Sequence, residues 1–258
     1  MKRVVSGALI LLVGYLAWAA LMTWAHPRLI YPFFPDPVDL PGFREVGVAM
    51  PDGTEIALQV SEGEGPTILY FMGNAGALQL FADSLAAHQG QGRRVVALEY
   101  RGGGGRPGTP SEAALKRDAL AAADHALSYG DPVVIHAYSL GSGLAVHVAA
   151  RRAVAGLILE APFSRLCALM ARAAFLPACI MPLVQRWDTL GDAPDVSAPV
   201  MILHGANDRL IPPANSVALD AALGRSRRVV VEGADHLDIG LNGRTWREIV
   251  DFMHEIRP

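Results

Sequence analysis

The chain has 258 residues, 52% of them hydrophobic, and its 22 Lys and Arg against 25 Asp and Glu give a formal net charge of -3. A near-neutral chain without a basic run lacks the positive face that phosphate groups require, which argues against nucleic acid as the main partner. The length suffices for one large core, so we expect one globular domain. With only Cys167 and Cys179, a disulfide scaffold is excluded. The two could pair in an oxidising compartment, but we expect buried free thiols.

The first predicted element is an apolar helix over residues 1–25. The run from Val4 to Ala25 is uncharged, and as a helix it measures about 33 Å, enough to cross a hydrocarbon core of about 30 Å. Lys2 and Arg3 precede it, so the positive-inside rule predicts a single-pass anchor with a cytoplasmic N-terminus and the rest of the chain on the far, periplasmic or extracytoplasmic side. A cleaved signal peptide is the alternative, although signal cores are usually about 7–15 residues.

Residues 26–42 carry five prolines and predict an extended connector, which places the folded domain at residues 43–258. In that domain, β-rich runs alternate with helix-compatible segments, which is typical of a mostly parallel, doubly wound α/β sheet. Ligands of such sheets bind beyond the carboxyl ends of the strands. We predict strands at residues 46–50, 56–60, 67–72, 94–99, 132–137, 156–160, 200–204 and 228–231. We predict helices at residues 77–88, 111–129, 140–151, 213–223 and 244–256.

A glycine-bounded turn, Gly73-Asn74-Ala75-Gly76, follows the third predicted strand. Glycine here frees the backbone to turn the N–H groups of Asn74 or Ala75 inward. An ordinary glycine turn is one alternative, and a phosphate loop is another, although the segment lacks the Lys-Ser/Thr ending of a Walker loop. The second glycine-rich stretch, residues 101–108, is interrupted by Pro107 and is interpreted as a flexible loop beside the site.

The strand at residues 132–137 runs into Ala137-Tyr138-Ser139-Leu140-Gly141. Strand, turn and helix in this order are typical of the nucleophile elbow G-x-S-x-G, here with Ala137 in place of the first glycine. Ser139 is therefore the candidate nucleophile; its alternative role is that of a helix N-cap. The Leu140 N–H, with that of Asn74 or Ala75, would then form an oxyanion hole.

Asp208 and His236 each follow a later strand, at residues 200–204 and 228–231. The chain order Ser, Asp, His is that expected when the histidine takes the serine proton and the aspartate holds the imidazole tautomer. Glu160 also ends a strand and is the alternative acid. Asp235 adjoins His236 but should point elsewhere, and the other histidines that end or lie within strands, His136 and His204, are interpreted as structural.

An apolar insertion, rich in Ala, Leu, Met and Phe, lies between Ser164 and Ser197. We expect it to form a short helical cap over the site, at about residues 164–197. Its apolar face suits an acyl chain, and it suits plain core packing equally well.

A set of motifs in one order carries a family resemblance. They are Gly73-Asn74-Ala75-Gly76, Tyr100-Arg101-Gly102, Gly108-Thr109-Pro110-Ser111-Glu112, Tyr138-Ser139-Leu140-Gly141, Glu160-Ala161-Pro162-Phe163, Arg186-Trp187-Asp188, His204-Gly205 with Asp208, and Gly233 with His236. From about Phe43 to Pro258 the chain resembles the small, often membrane-anchored α/β-hydrolases related to eukaryotic lysophospholipases and protein depalmitoylating thioesterases. It departs from them at Ala137, at Met72 (often histidine) and at residues 103–105, where an aromatic residue and a serine are usual.

The resemblance implies an α/β-hydrolase fold and a Ser-His-Asp esterase or thioesterase that uses neither a metal nor an organic cofactor. The expected substrate is a small-molecule or lipid acyl ester, and the membrane contact is the N-terminal helix. A peptidase or an acyltransferase on the same fold is one alternative, because the triad residues do not distinguish them. A catalytically inactive, membrane-tethered binding domain is the other.

Overall fold

The structure is a computed structural model that describes residues 2–37 and 39–256, with the backbone alone described for residues 2–5. Met1 and Pro258, the predicted ends of the anchor and of the domain, lie outside the described residues. The side chains of Lys2 and Arg3, on which the predicted orientation depends, lie outside them as well.

One eight-stranded sheet forms the centre of the fold, in the order β1-β2-β4-β3-β5-β6-β7-β8. The pairs β1–β2 and β2–β4 are antiparallel and the other pairs are parallel. This confirms the predicted α/β-hydrolase fold with a mostly parallel sheet. The strands are β1 Arg44–Ala49, β2 Glu55–Val60, β3 Thr67–Phe71, β4 Val95–Leu98, β5 Val133–Tyr138, β6 Gly156–Glu160, β7 Val200–Gly205 and β8 Ser226–Val231.

The central strands β3 to β7 are buried except at Tyr138, the half-buried last residue of β5, whereas β1 at the edge is largely exposed. Continuous apolar runs such as residues 67–71 are what a parallel sheet covered on both faces requires. From β3 the chain crosses to β4 on one side and then to β5 on the other. The strand order therefore reverses between β3 and β5, and the crevice beyond their carboxyl ends is the expected place for a site.

The described helices are α1 Lys2–Ile30, α2 Ala82–Gln89, α3 Glu112–Leu127, α4 Leu140–Ala149, α5 Leu166–Ala174, α6 Thr189–Asp192, α7 Ala214–Ala222 and α8 Gly243–Glu255. Short 3-10 turns lie at Leu78–Phe81, Ala178–Ile180, Ala193–Asp195 and Ile239–Leu241. The predicted strands, and the predicted helices at residues 111–129, 140–151, 213–223 and 244–256, agree with these bounds to within two residues at each end. The helix predicted at residues 77–88 differs, because its first turn is the 3-10 turn Leu78–Phe81 and α2 begins only at Ala82.

The N-terminal helix α1 is longer than predicted, because it continues through Pro27 to Ile30. Proline cannot donate to the carbonyl four residues earlier, which here is that of Thr23. The Nδ1 of His26 lies 2.6 Å from that oxygen and supplies the missing donor. Pro32 disfavours helical backbone in the residue before it, which explains where α1 ends. By length and composition, Ser6–Ile30 is the one helix of the described residues able to cross a membrane.

The connector after α1 packs on the domain. The Phe34 N–H donates to the Ala75 carbonyl (2.9 Å), and the Gly104 N–H donates to the Phe34 carbonyl (2.7 Å). Phe33 fills the space beside Gly76, where any Cβ would collide with its ring. The connector therefore fixes the predicted oxyanion turn from outside.

The cap contains α5, the turn Ala178–Ile180 and α6, and a disulfide closes it. The expectation that Cys167 and Cys179 are free thiols is wrong, because the two sulfurs are bonded, with Cα atoms 5.0 Å apart. On one continuous helix their Cα atoms would be about 18 Å apart. Phe175 instead adopts a left-handed φ of 56° that ends α5 and turns the chain back, so Cys179 returns to Cys167.

Candidate active site

The turn between β5 and α4 presents Ser139 in a strained conformation, with φ of 50° and ψ of -113°. The Ser139 N–H donates to the Glu160 carbonyl (2.9 Å) and the Ser142 hydroxyl donates to the Ser139 carbonyl (2.6 Å), so the peptide groups on both sides of Ser139 are held. A Cβ on Gly141 would collide with the carbonyl oxygen of Phe71, which explains the need for glycine there. Such strain persists only where the surroundings enforce it, which is common at active sites.

The side chain of Ser139 makes no capping hydrogen bond to α4, although the residue occupies the N-cap position. Its Oγ instead lies 3.0 Å from Nε2 of His236. The N-cap alternative therefore does not describe this side chain.

The structure brings Ser139, His236 and Asp208 together, all three buried. Nδ1 of His236 lies 2.8 Å from Oδ2 of Asp208. A carboxylate only accepts, so Nδ1 carries the proton and Nε2 is free to accept one from the serine hydroxyl.

Backbone donors hold the second carboxylate oxygen of Asp208. Its Oδ1 accepts from the N–H groups of Leu210 (3.0 Å) and Ile211 (2.8 Å). Burial raises the pKa of Asp208, but hydrogen bonds from His204, His236 and Ile211 outweigh it and hold the pKa below its usual range. His204 contributes weakly by geometry, because its Nε2 lies 3.4 Å from Oδ2 and only 2.8 Å from the Ile211 carbonyl. Asp208 is thus charged at neutral pH.

Glu160, the alternative acid, belongs to a different buried chain of side chains. Its Oε1 bonds Nε2 of His136 (2.7 Å), and Nδ1 of His136 bonds Nε2 of His88 (2.9 Å). Oδ1 of Asp235 accepts from the Leu237 N–H (2.8 Å). Neither carboxylate is therefore bonded to the imidazole of His236.

Two of the three residues predicted to donate to an oxyanion, Asn74 and Leu140, share a cavity with Ser139. Leu140 is the first residue of α4, where helix geometry leaves N–H groups without an acceptor in the helix. Asn74 and Leu140 both line the cavity that contains Ser139. The carbonyl of Ala75 is used by the connector, and the choice between the Asn74 and Ala75 N–H groups stays a prediction.

Tyr138 is a site residue that the sequence analysis missed. Its hydroxyl donates to the His236 carbonyl (2.6 Å), and the two rings lie 5.3 Å apart. Gly73 makes room for the ring, since a Cβ there would lie 2.8 Å from it. Tyr138 therefore fixes the histidine loop against the elbow, and the one available signal was its place directly before Ser139.

A cavity of about 450 Å³ opens at Ser139. Its walls are almost wholly apolar, with Thr23, His26, Asn74 and Ser139 as the polar exceptions, and no charged side chain that the structure describes lines it. Its size falls within the range of about 300–1,000 Å³ for ligand pockets. Among the described residues, no group of three or more His, Cys, Asp or Glu is arranged to hold a metal ion. The cavity therefore offers one reactive group and an apolar surface.

No protein-family model matches the chain. The chain is 35% identical to an uncharacterized protein of Mycobacterium tuberculosis, Rv2307c, over 92% of its length and 90% of that protein's. It is 30% identical to the lysophosphatidylserine lipase ABHD12 of Xenopus tropicalis, over 57% of its length and 44% of that protein's.

The structure resembles that of the Pyrococcus furiosus esterase Pf2001, with a TM-score of 0.69, 14% identity and coverage of 85% of this chain and 98% of the esterase. It also resembles a membrane phospholipase A described as a bacterial virulence factor, with a TM-score of 0.63, 19% identity and coverage of 100% and 99%. These likenesses and the resemblance of the motifs agree with one another. The chain belongs to the α/β-hydrolase superfamily.

Proposed function

We propose that the protein is a serine hydrolase that cleaves carboxylic ester or thioester bonds of lipid or acylated substrates, with Ser139, His236 and Asp208 as its catalytic triad. The observation that carries the proposal is the pair of hydrogen bonds from Ser139 Oγ to His236 Nε2 (3.0 Å) and from His236 Nδ1 to Asp208 Oδ2 (2.8 Å) at an apolar cavity. The esterase-type fold supports the same chemistry.

The reaction is a two-step acyl transfer. Oγ of Ser139 attacks the acyl carbon as Nε2 of His236 takes its proton, and the carbonyl oxygen becomes an oxyanion at the N–H groups of Leu140 and of Asn74 or Ala75. His236 then protonates the leaving alcohol or thiol, which departs and leaves an acyl-serine. A water molecule, deprotonated by His236, attacks that ester, and the released serine oxygen recovers its proton. Asp208 stabilises the imidazolium formed in each step.

The cavity favours an acyl chain over a peptide. Peptide side chains and backbone need polar partners when buried, whereas this wall is apolar and uncharged. The names of two similar proteins, a lysophosphatidylserine lipase and a membrane phospholipase A, point to lipid esters in those proteins. A peptidase or an acyltransferase remains the second candidate on the same triad.

The proposal predicts a substrate order that kinetics on the full chain in detergent micelles will test. p-Nitrophenyl esters of increasing chain length, acyl thioesters and lysophospholipids should be hydrolysed, with kcat/KM rising with chain length as more apolar area is buried, about tenfold for every two methylenes bound. Peptide amides should not be cleaved. Peptide cleavage without ester turnover, or release of acyl groups only to an added acceptor, would contradict it.

The disulfide between Cys167 and Cys179 helps to decide on which side of the membrane the catalytic domain lies. We propose that the helix is a single-pass anchor with its N-terminus in the cytoplasm and the catalytic domain on the far side, since disulfides persist in oxidising compartments and are rare in the cytosol. In cells producing the chain, a maleimide-polymer reagent should modify Cys167 and Cys179 only after reduction. Modification of both thiols without a reductant would place the domain in a reducing compartment and refute this orientation.

A further inference from the structure

The apolar helix α1 forms one wall of the cavity that contains Ser139. A second part of the wall is α5 with residues 176–184 of the cap. A chain bound at the serine therefore contacts both the N-terminal helix and the cap. The lining residues from α1 are Trp18, Met22, Thr23, His26, Leu29 and Ile30.

Hydrogen bonds hold α1 against the cap along this wall. The indole N–H of Trp18 donates to the Ala174 carbonyl (2.9 Å), and Nε2 of His26 accepts from the Gln185 N–H (3.2 Å). Farther from the site, the Tyr15 hydroxyl reaches the Phe175 carbonyl (3.4 Å). The helix is thus a fixed part of the pocket. Its Tyr15 lies level with Phe175, at the end of the cap.

The part of α1 that extends beyond the cap is too short to cross a bilayer by itself. From Val4, the start of the uncharged run, residues 4–14 rise about 17 Å, whereas the hydrocarbon core is about 30 Å thick. A spanning α1 must therefore place the part that contacts the cap inside the membrane as well. More than about 10 Å of hydrocarbon then surrounds the end of the cap.

The chemistry of the cap end fits that position. We call residues 173–185 the cap tip; it contains no Asp, Glu, Lys or Arg, and Arg172 and Arg186 bound it. Phe175, Ile180 and Leu183 are 85%, 79% and 87% exposed, and none of the three lines the cavity. Large apolar side chains clustered on a surface mark an interaction site, and arginine at each boundary suits the headgroup level.

The backbone conformation at Phe175 and Leu183 does not favour the large apolar side chains that are found there. Phe175 and Leu183 have left-handed φ values of 56° and 68°, a region that favours glycine, asparagine and aspartate. A bulky apolar residue there is unfavourable locally and gains nothing from water. The contacts of Phe175 and Leu183 within the protein therefore do not account for large apolar side chains at these positions.

We propose that the cap tip inserts with α1 into one leaflet, and that the cavity receives the acyl chain of a membrane-resident lipid ester directly from the bilayer. The assignment of the substrate rests on the proposed function; the insertion does not. Cleavage after Ala25 would remove Trp18, Met22 and Thr23 from the wall, so the proposal also requires that α1 be retained.

Insertion is tested without catalysis. The native cysteines are paired, so Leu183→Cys supplies one thiol for an environment-sensitive fluorophore on the full chain in nanodiscs of phosphatidylcholine and phosphatidylglycerol. Doxyl-labelled lipids should quench a label at 183 and not one at Val217→Cys, a half-exposed site on α7. A label at 183 that stays in water overturns the proposal. So does one that is shielded but not quenched, which would indicate a second copy of the chain on the tip.

Substrate delivery is tested with the pair Phe175→Asp and Leu183→Asp, since aspartate tolerates left-handed backbone. Hydrolysis of a long-chain phospholipid in the nanodisc should fall about tenfold or more, because a carboxylate is costly in hydrocarbon. Turnover of soluble p-nitrophenyl butyrate should stay within about twofold of wild type, and Val217→Asp should change neither. Unchanged phospholipid turnover overturns the delivery. Absence of butyrate turnover in the wild type instead refutes the proposed function, while the quenching still decides the insertion.

Discussion

Replacing Ser139 by alanine should lower kcat/KM for ester substrates by about 10⁶-fold, the loss expected when the nucleophile of a triad is removed. The reason is chemical, because no other hydroxyl is bonded to Nε2 of His236 among the described contacts. Folding should be unaffected, since the Ser139 side chain caps no helix and alanine keeps the same Cβ at the strained turn. Initial rates with a soluble ester and a thermal melt of the same sample measure both effects.

The matched control is Ser128→Ala, an exposed serine whose hydroxyl bonds only the local His125 carbonyl (2.6 Å). It should retain wild-type rates. Ester hydrolysis by Ser139→Ala at more than about a hundredth of the wild-type rate would mean that the nucleophile is elsewhere, because background catalysis by the remaining groups is far smaller.

Asp208→Asn should be the second most damaging change, lowering kcat by about 10⁴-fold. The amide can still accept from the N–H groups of Leu210 and Ile211, so the loop should keep its shape. The neutral amide introduced by Asp208→Asn cannot offset the charge of the imidazolium. Its NH₂ group facing Nδ1 of His236 favours the wrong tautomer, in which Nδ1 accepts and Nε2 carries the proton. The measurement is kcat in a sample whose enzyme concentration has been determined beforehand. Far-UV circular dichroism of the same sample follows the fold.

Glu160→Gln separates the two candidate acids. Glu160 bonds His136 and touches the site only through its backbone carbonyl, which accepts from the Ser139 N–H. We expect a loss of stability, because a buried partner is weakened, and kcat within about tenfold of wild type. The opposite pattern, with Glu160→Gln inactive and Asp208→Asn active, would assign the acid to Glu160.

The parts of the site that the sequence predicts are those that follow strands. Ser139, Asp208 and His236 each lie in a loop that follows a predicted strand, and the carboxyl ends of parallel strands lie at one edge of the sheet. That reasoning needs only local periodicity, and the structure brings the three side chains within hydrogen-bond distance. The central strands are predictable because they are buried and so appear as continuous apolar runs.

What the sequence does not predict depends on contacts between distant residues. The disulfide required the reversal at Phe175, a left-handed residue that is not glycine, and nothing in the local sequence signals it. The uncharged N-terminal run predicts a membrane anchor, and nothing in that run indicates that Trp18 lines the cavity at Ser139. The continuation of α1 through Pro27 depends on the side chain of His26, which replaces the lost backbone donor.

Covalent labelling decides whether Ser139 is the activated nucleophile of a triad with His236. A fluorophosphonate probe is attacked by the activated serine of such enzymes, and peptide mapping by mass spectrometry locates the adduct. We expect one adduct per wild-type chain, on Ser139, and at least about 10³-fold slower labelling in His236→Ala, where the base is missing. No adduct on the folded wild-type protein, or one on another serine, would contradict it.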